Sequence, residues 1–153
     1  MKIEEFLDRE LICDIDADGV DNLFSTIAYT FSKRYPSINK EKLKEFLKER
    51  EILGTTGIGN GFAIPHTKTN MIDKVVAGVF RNKTGIDFNA VDNKPVRLFV
   101  VLLSPIGKPI KLLKALAAVA KISKDKQFTK SMLAVKDTKD IYGKFIERDK
   151  SDP

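Results

Sequence analysis

The chain has 153 residues, 42% of them hydrophobic and 31% charged, with a formal charge of +6 at neutral pH. That length suits one domain with a buried core, and that balance excludes an intrinsically disordered protein. A single cysteine, Cys13, and a single histidine, His66, exclude an internal disulfide and a Cys/His zinc site within the chain, so no metal or cofactor is expected.

Met1 is followed by Lys-Ile-Glu-Glu-Phe rather than an apolar run, and the longest apolar stretch is 98–103. A membrane-spanning helix needs about 20 apolar residues, so neither a signal peptide nor membrane insertion is expected, and the expected location is the cytoplasm. Asp14-Ile-Asp-Ala-Asp-Gly19 looks like the opening of a calcium loop. The twelfth position, which should supply a bidentate glutamate, is Ser25. Asp18 and Asp21 fit better as charges at the start of a helix over 19–33, with Asp18 as N-cap and Val20, Phe24, Ile27, Ala28 and Phe31 at helical spacing. Pro36 breaks the chain, and Asn39 then caps a second helix over 40–51.

Gly54, Gly57, Gly59, Gly61 and Pro65 predict a shaped loop over 53–69 that leads into a short strand at 62–64. Strands are predicted over 75–80 and 96–104, with Asn82-Lys-Thr-Gly85 as a turn after the first. Pro109 opens a helix whose inward stripe reads Leu112, Leu113, Leu116, Val119 and Ala120. A last helix over 138–148 turns Ile141 and Phe145 inward. Helices flanking strands at both ends of the chain predict a single α/β domain around a small mixed sheet.

Residues 1–105 hold 15 basic and 15 acidic side chains, whereas 106–153 hold 12 and 6 and carry the whole excess. These lysines are dispersed and no aromatic residues interleave with them. They read as solvated helix faces rather than a nucleic-acid platform, and no nucleic-acid partner is expected.

Gly57-Ile-Gly-Asn-Gly61 has no following Gly-Lys-Ser/Thr, and its glycines follow a helix and precede a strand, so neither nucleotide-binding loop fits. His66 closes the run Gly59-Asn-Gly-Phe-Ala-Ile-Pro-His. A histidine at a strand end serves equally as a structural hydrogen-bonder or a reactive group. Here Pro65 fixes the preceding backbone, glycine amides can gather around an anion, and Thr55, Thr56, Thr67 and Thr69 offer hydroxyls nearby. Leu43, Leu47 and Arg50 fall at i, i+4 and i+7, which puts Arg50 on or beside the inward stripe of its helix. It either ends in solvent, pairs with Glu49 or Glu51, or awaits an anion. A neutral imidazole, a held N–H, a cation and no metal are the parts a histidine phosphocarrier requires.

Arg50-Glu51 followed by Gly54-Thr-Thr-Gly-Ile-Gly-Asn-Gly-Phe-Ala-Ile-Pro-His66 resembles the signature of the type-2 enzyme IIA (EIIA) domain. This is the fructose/mannitol and nitrogen-regulatory class of the bacterial phosphoenolpyruvate-dependent phosphotransferase system. Thr84 to Arg97, Leu102-Leu-Ser-Pro105 and Leu113 to Ala120 extend the resemblance over nearly the whole chain, 1–153. It implies a sandwich with a central mixed sheet flanked by helices on both sides. It also implies a phosphoryl group taken by His66 from the small carrier HPr, with Arg50 as stabilising cation and Thr55, Thr56 and Asn60 lining the site. The phosphoryl group then passes to an enzyme IIB (EIIB) domain for sugar uptake. In nitrogen-regulatory members the phosphorylation state instead controls partner proteins. Many members carry a second histidine where this chain has Leu112, which favours the regulatory reading or makes Leu112 a core residue.

Overall fold

Residues 1–151 are described in a computed structural model. A 3-10 turn, Ile3–Glu5, precedes β1 (Leu7–Asp14), α1 (Val20–Arg34) and α2 (Lys40–Ile52). Three short strands follow, β2 (Gly57–Gly59), β3 (Phe62–Ala63) and β4 (His66–Lys68), then two long ones, β5 (Val76–Ile86) and β6 (Val96–Ser104). The chain closes with α3 (Pro109–Ser123), α4 (Lys126–Ala134) and α5 (Lys139–Lys150).

The sheet is organised on β6. Its side chains alternate, Leu98, Val100 and Leu102 towards one face and Phe99, Val101 and Leu103 towards the other, and all six are buried. A strand buried on both faces must be covered by a layer on each side. Leu23, Phe24, Ile27 and Phe31 of α1 with Leu43 and Leu47 of α2 cover the face that carries Phe99. Leu112, Val119, Phe128, Met132, Ile141 and Phe145 of α3, α4 and α5 cover the opposite face, formed by Leu98, Val100 and Leu102. The result is the expected sandwich, with helices on both sides of a mixed sheet.

Strand order is β1-β5-β6-β3-β2, with β4 also on β6. β5 runs antiparallel to β6, whereas β3 and β4 both run parallel to it along the same edge, Phe62 beside Leu98 and His66 beside Leu102. β6 therefore sets the register of the whole segment leading to the histidine.

Several sequence expectations change. The turn expected at 82–85 is a bulge inside β5: between Arg81 and Ile86 the partners on β6 move only from Leu98 to Val96. Gly85 supplies the positive φ of 81° that the bulge requires. Asn82 is buried there, its amide bonded to both the N–H and the carbonyl of Ala17. β1 and α4 are elements the periodicity did not predict. Asp14, the first acid of the calcium-like stretch, ends β1 and pairs with Arg81, and residues 15–19 form the loop that leads into α1. Asn39 caps α2 as expected, accepting from Lys42 N–H at 2.9 Å, whereas α1 is capped by Gly19 with no side-chain bond, and not by Asp18. On α3 the inward stripe is Leu112, Ala115, Val119 and Ile122, and Leu113 is 66% exposed.

Candidate functional site

The site forms where α2 ends against the first residue of β4. Leu43 and Leu47 anchor α2 in the core, and the next position on that stripe presents Arg50 to the sheet. Its Nε–H donates to His66 Nε2 at 3.2 Å, and its Nη1 donates to the Gly54 carbonyl at 3.0 Å. Those contacts, and not an ion pair with Glu49 or Glu51, direct the guanidinium. Arg50 thus faces inward, against the histidine.

His66 is half-buried and held from both sides of its ring. Leu102 N–H in β6 donates to the Pro65 carbonyl at 2.9 Å, which fixes the backbone just before it. Nδ1 faces the Ile64 carbonyl at 2.9 Å. A carbonyl can only accept, so Nδ1 carries the proton, and Nε2 keeps a lone pair that accepts from Arg50. Both neighbours specify the same neutral tautomer.

Burial is the main reason the His66 pKa lies below its ordinary value, and the Arg50 and Lys68 charges push it the same way. The ring is therefore expected to titrate with a midpoint below about 6.5 by NMR. Between the two values the unfolded chain binds more protons than the folded one. The stability linked to His66 is thus complete above about pH 6.5 and declines as pH falls through the folded midpoint. A midpoint at or above 6.5 would contradict the burial and the neighbouring positive charges described for the ring.

Glu51 lies beside this pair, and sequence reasoning offered it only as a partner for Arg50. Its carboxylate accepts the Thr56 N–H and the Thr56 hydroxyl, each at 2.7 Å. Burial lifts the Glu51 pKa above the usual carboxylate value, and the two Thr56 bonds only partly offset this.

The other residues expected near the histidine, from the resemblance or from their nearness in sequence, are placed differently. Thr56 is buried and its hydroxyl is committed to Glu51. The Thr55 hydroxyl donates to the Phe88 carbonyl and accepts from Gly57 N–H, and the Thr69 hydroxyl accepts from Met71 N–H. These hydroxyls brace the loop and are not aimed at the ring. Asn60 is not brought to His66. It forms, with Gly61, the two-residue turn between β2 and β3, with φ of 59° and 75°, the left-handed pair that a type I′ turn needs. Its side chain donates to the Ser123 carbonyl at the end of α3. Four residues of β6 separate the partners of Phe62 and His66, about 13 Å of strand. The glycine run therefore builds a hairpin that aims the chain along β6, rather than a ring of amides around an anion.

Leu112 is 5% exposed and sits in the same apolar cluster as Ile64 and Leu102, so it is a core residue. Lys111 and Lys114 are exposed on the outer side of α3. Among the described residues no cluster of three His, Cys, Asp or Glu side chains is placed to hold a metal ion. No described helix is long and apolar enough to cross a membrane.

Chemically, the site offers a neutral imidazole with one nucleophilic nitrogen, its other nitrogen held, and a guanidinium in contact with that lone pair. Nitrogen attack on an electrophile that carries negative charge suits these parts, with the guanidinium moving from the ring to the incoming oxygens as the bond forms.

The sequence model of the family described as phosphoenolpyruvate-dependent sugar phosphotransferase system, EIIA 2, matches residues 5–148. A nitrogen regulatory protein of Bradyrhizobium diazoefficiens is 39% identical over 104 residues, 68% of this chain and 68% of its own. A fructose-specific EIIA component of the phosphotransferase system from Haloferax volcanii is 36% identical over 83 residues, 54% of each chain. The crystal structure of the nitrogen regulatory protein IIA-Ntr from Neisseria meningitidis superposes with a TM-score of 0.83 at 26% identity, covering 94% of this chain and 98% of that one.

Proposed function

The chain belongs to the EIIA 2 family of the phosphoenolpyruvate-dependent sugar phosphotransferase system, and we propose that His66 is its phosphoryl acceptor, charged by an HPr-type carrier. The observation that carries this reading is the Arg50–His66–Ile64 arrangement, which leaves Nε2 as the nucleophile. In the transfer, the Nε2 lone pair forms the N–P bond as the bond from phosphorus to the donor nitrogen breaks. The donor keeps that electron pair, and no proton leaves His66. The ring becomes a phosphorylated imidazolium whose Nδ1–H stays on the Ile64 carbonyl, and Arg50 balances the oxygens.

The phosphorylation state then serves regulation: the protein binds and controls a partner according to whether His66 is charged. Two observations favour this over onward transfer. The relatives with the higher identities carry the name nitrogen regulatory protein, and Leu112 is core, leaving no second histidine on α3. The likeness to the fructose-specific component supports the second reading, in which the phosphoryl group passes to an EIIB domain for sugar uptake. We take residues 1–153 as one domain acting in the cytoplasm, without metal or other cofactor.

Incubation with phosphoenolpyruvate, enzyme I and HPr tests the reading. One acid-labile phosphate per chain, located on the peptide that contains His66 by mass spectrometry, is the expected result. No phosphate on that peptide would overturn it. Adding EIIB domains and sugar separates the two roles, since passage to sugar supports transport and retention on His66 supports regulation.

A further inference from the structure

Glu51 is an acid where acids are disfavoured. It lies in the last turn of α2, whose dipole favours cations there, and it is half-buried. Such a group persists when its oxygens are used, and both are: one takes the Thr56 N–H and the other the Thr56 hydroxyl. Thr56 in turn accepts the Ile64 N–H on its carbonyl at 3.0 Å, and the Ile64 carbonyl receives the His66 Nδ1 proton at 2.9 Å. A continuous line of hydrogen bonds thus runs from the end of α2 to the far side of the imidazole. The same helix end holds Arg50 on the near side, and the loop pinned by Glu51 includes Gly54, whose carbonyl receives Arg50 Nη1.

We propose that Glu51 is a positioning residue for His66: through Thr56 and Ile64 it fixes the tautomer and direction of the imidazole, and through the 54–56 loop it seats Arg50. This rests on His66 being the phosphoryl acceptor. Glu51 touches no reacting atom. It keeps the Ile64 carbonyl in place while the ring gains positive charge, when the Nδ1–H bond strengthens and misalignment costs most. The Leu102–Pro65 bond holds the next residue of the backbone, so loss of Glu51 loosens the carbonyl without unfolding β4.

The test uses the full chain and its Glu51→Gln, Thr56→Val and Thr56→Ser variants, which change little volume. Ring nitrogen shifts of His66 report the tautomer, and single-turnover uptake from phosphorylated HPr reports the transfer rate. Glu51→Gln and Thr56→Val are expected to populate the Nε2–H tautomer. They should lower the rate at saturating donor about tenfold or more, the scale of loss seen when the outer partner of a metal-bound histidine is removed, with half-saturation unchanged. Thr56→Ser keeps the hydroxyl and is expected to behave as the parent, and the double variant Glu51→Gln/Thr56→Val to lose no more than either alone. Parent-like ring shifts in both Glu51→Gln and Thr56→Val would overturn the proposal, even if those variants melt earlier. The ring shifts are read without any phosphoryl donor. Failure of the parent to take phosphate would overturn the acceptor reading by itself, and the shifts would still decide the role of Glu51.

Discussion

His66→Gln is expected to abolish acid-labile labelling, a loss of at least about a thousandfold in uptake rate, beyond that of removing one stabilising donor. The reason lies in which atoms can substitute. A glutamine amide matches the reach of the ring and can still accept from Arg50, so the end of α2 and the start of β4 keep their contact. Its nitrogen lone pair is delocalised into the carbonyl and does not attack phosphorus. No other imidazole exists in the chain to take over. The variant should fold with an unchanged far-ultraviolet spectrum and melt within about 2 °C of the parent, the shift that a few tenths of a kcal/mol produces. Labelling retained by His66→Gln would move the acceptor elsewhere and remove the basis for reading Arg50 as the cation that stabilises the phosphoryl group.

Arg81→Met is expected to cost about 3–5 kcal/mol of folding stability. Arg81 has no solvent exposure although it carries a charge. Its Nε and Nη2 bind the two Asp14 oxygens at 2.5 and 2.9 Å, and its Nη1 reaches the Met132 and Val135 carbonyls at 2.8 and 2.5 Å. One side chain thereby joins β1, β5 and the C-terminal end of α4, where helix carbonyls have no partners of their own. Methionine fills the volume and leaves those carbonyls without this donor, at about 1–3 kcal/mol each. The broken ion pair adds less, because Asp14 is 46% exposed and regains water. For a chain of this size the melting temperature should fall by roughly 10 °C. Arg81→Lys should recover only part of it, because a point charge cannot span acceptors that a planar fork meets together. A denaturation midpoint equal to the parent's would show that this cluster contributes nothing net.

What was legible in the sequence follows from how local the causes are. Asn39 announces α2 because a cap is a contact over three residues, and the apolar run of β6 announces a strand buried on both faces. His66 and Arg50 are legible together because the helical stripe points Arg50 inward and Pro65 stiffens the approach to the ring. β1 was not legible. Asp8, Arg9 and Glu10 give it a charged centre, and what makes it a strand is its pairing with β5, more than sixty residues away. The 82–85 stretch has the composition of a turn, yet Asn82 is bonded to Ala17 and Gly85 serves a bulge. Asn60 was assigned to the site by its place in the signature. Its positive φ gives it a different task, turning the hairpin before β3. Thr56 and Glu51 look ordinary as letters, and only the fold shows that they are bonded to each other.

The dependence of β3 and β4 on β6 has a consequence for synthesis. Residues 62–68 leave the ribosome about thirty residues before the strand that gives them their register, since β6 begins at Val96. Until that strand is available, Arg50 and His66 are joined only by a flexible loop. A nascent chain, or a truncation ending before Val96, carries the whole signature from Arg50 to His66 and yet has no template on which to order it.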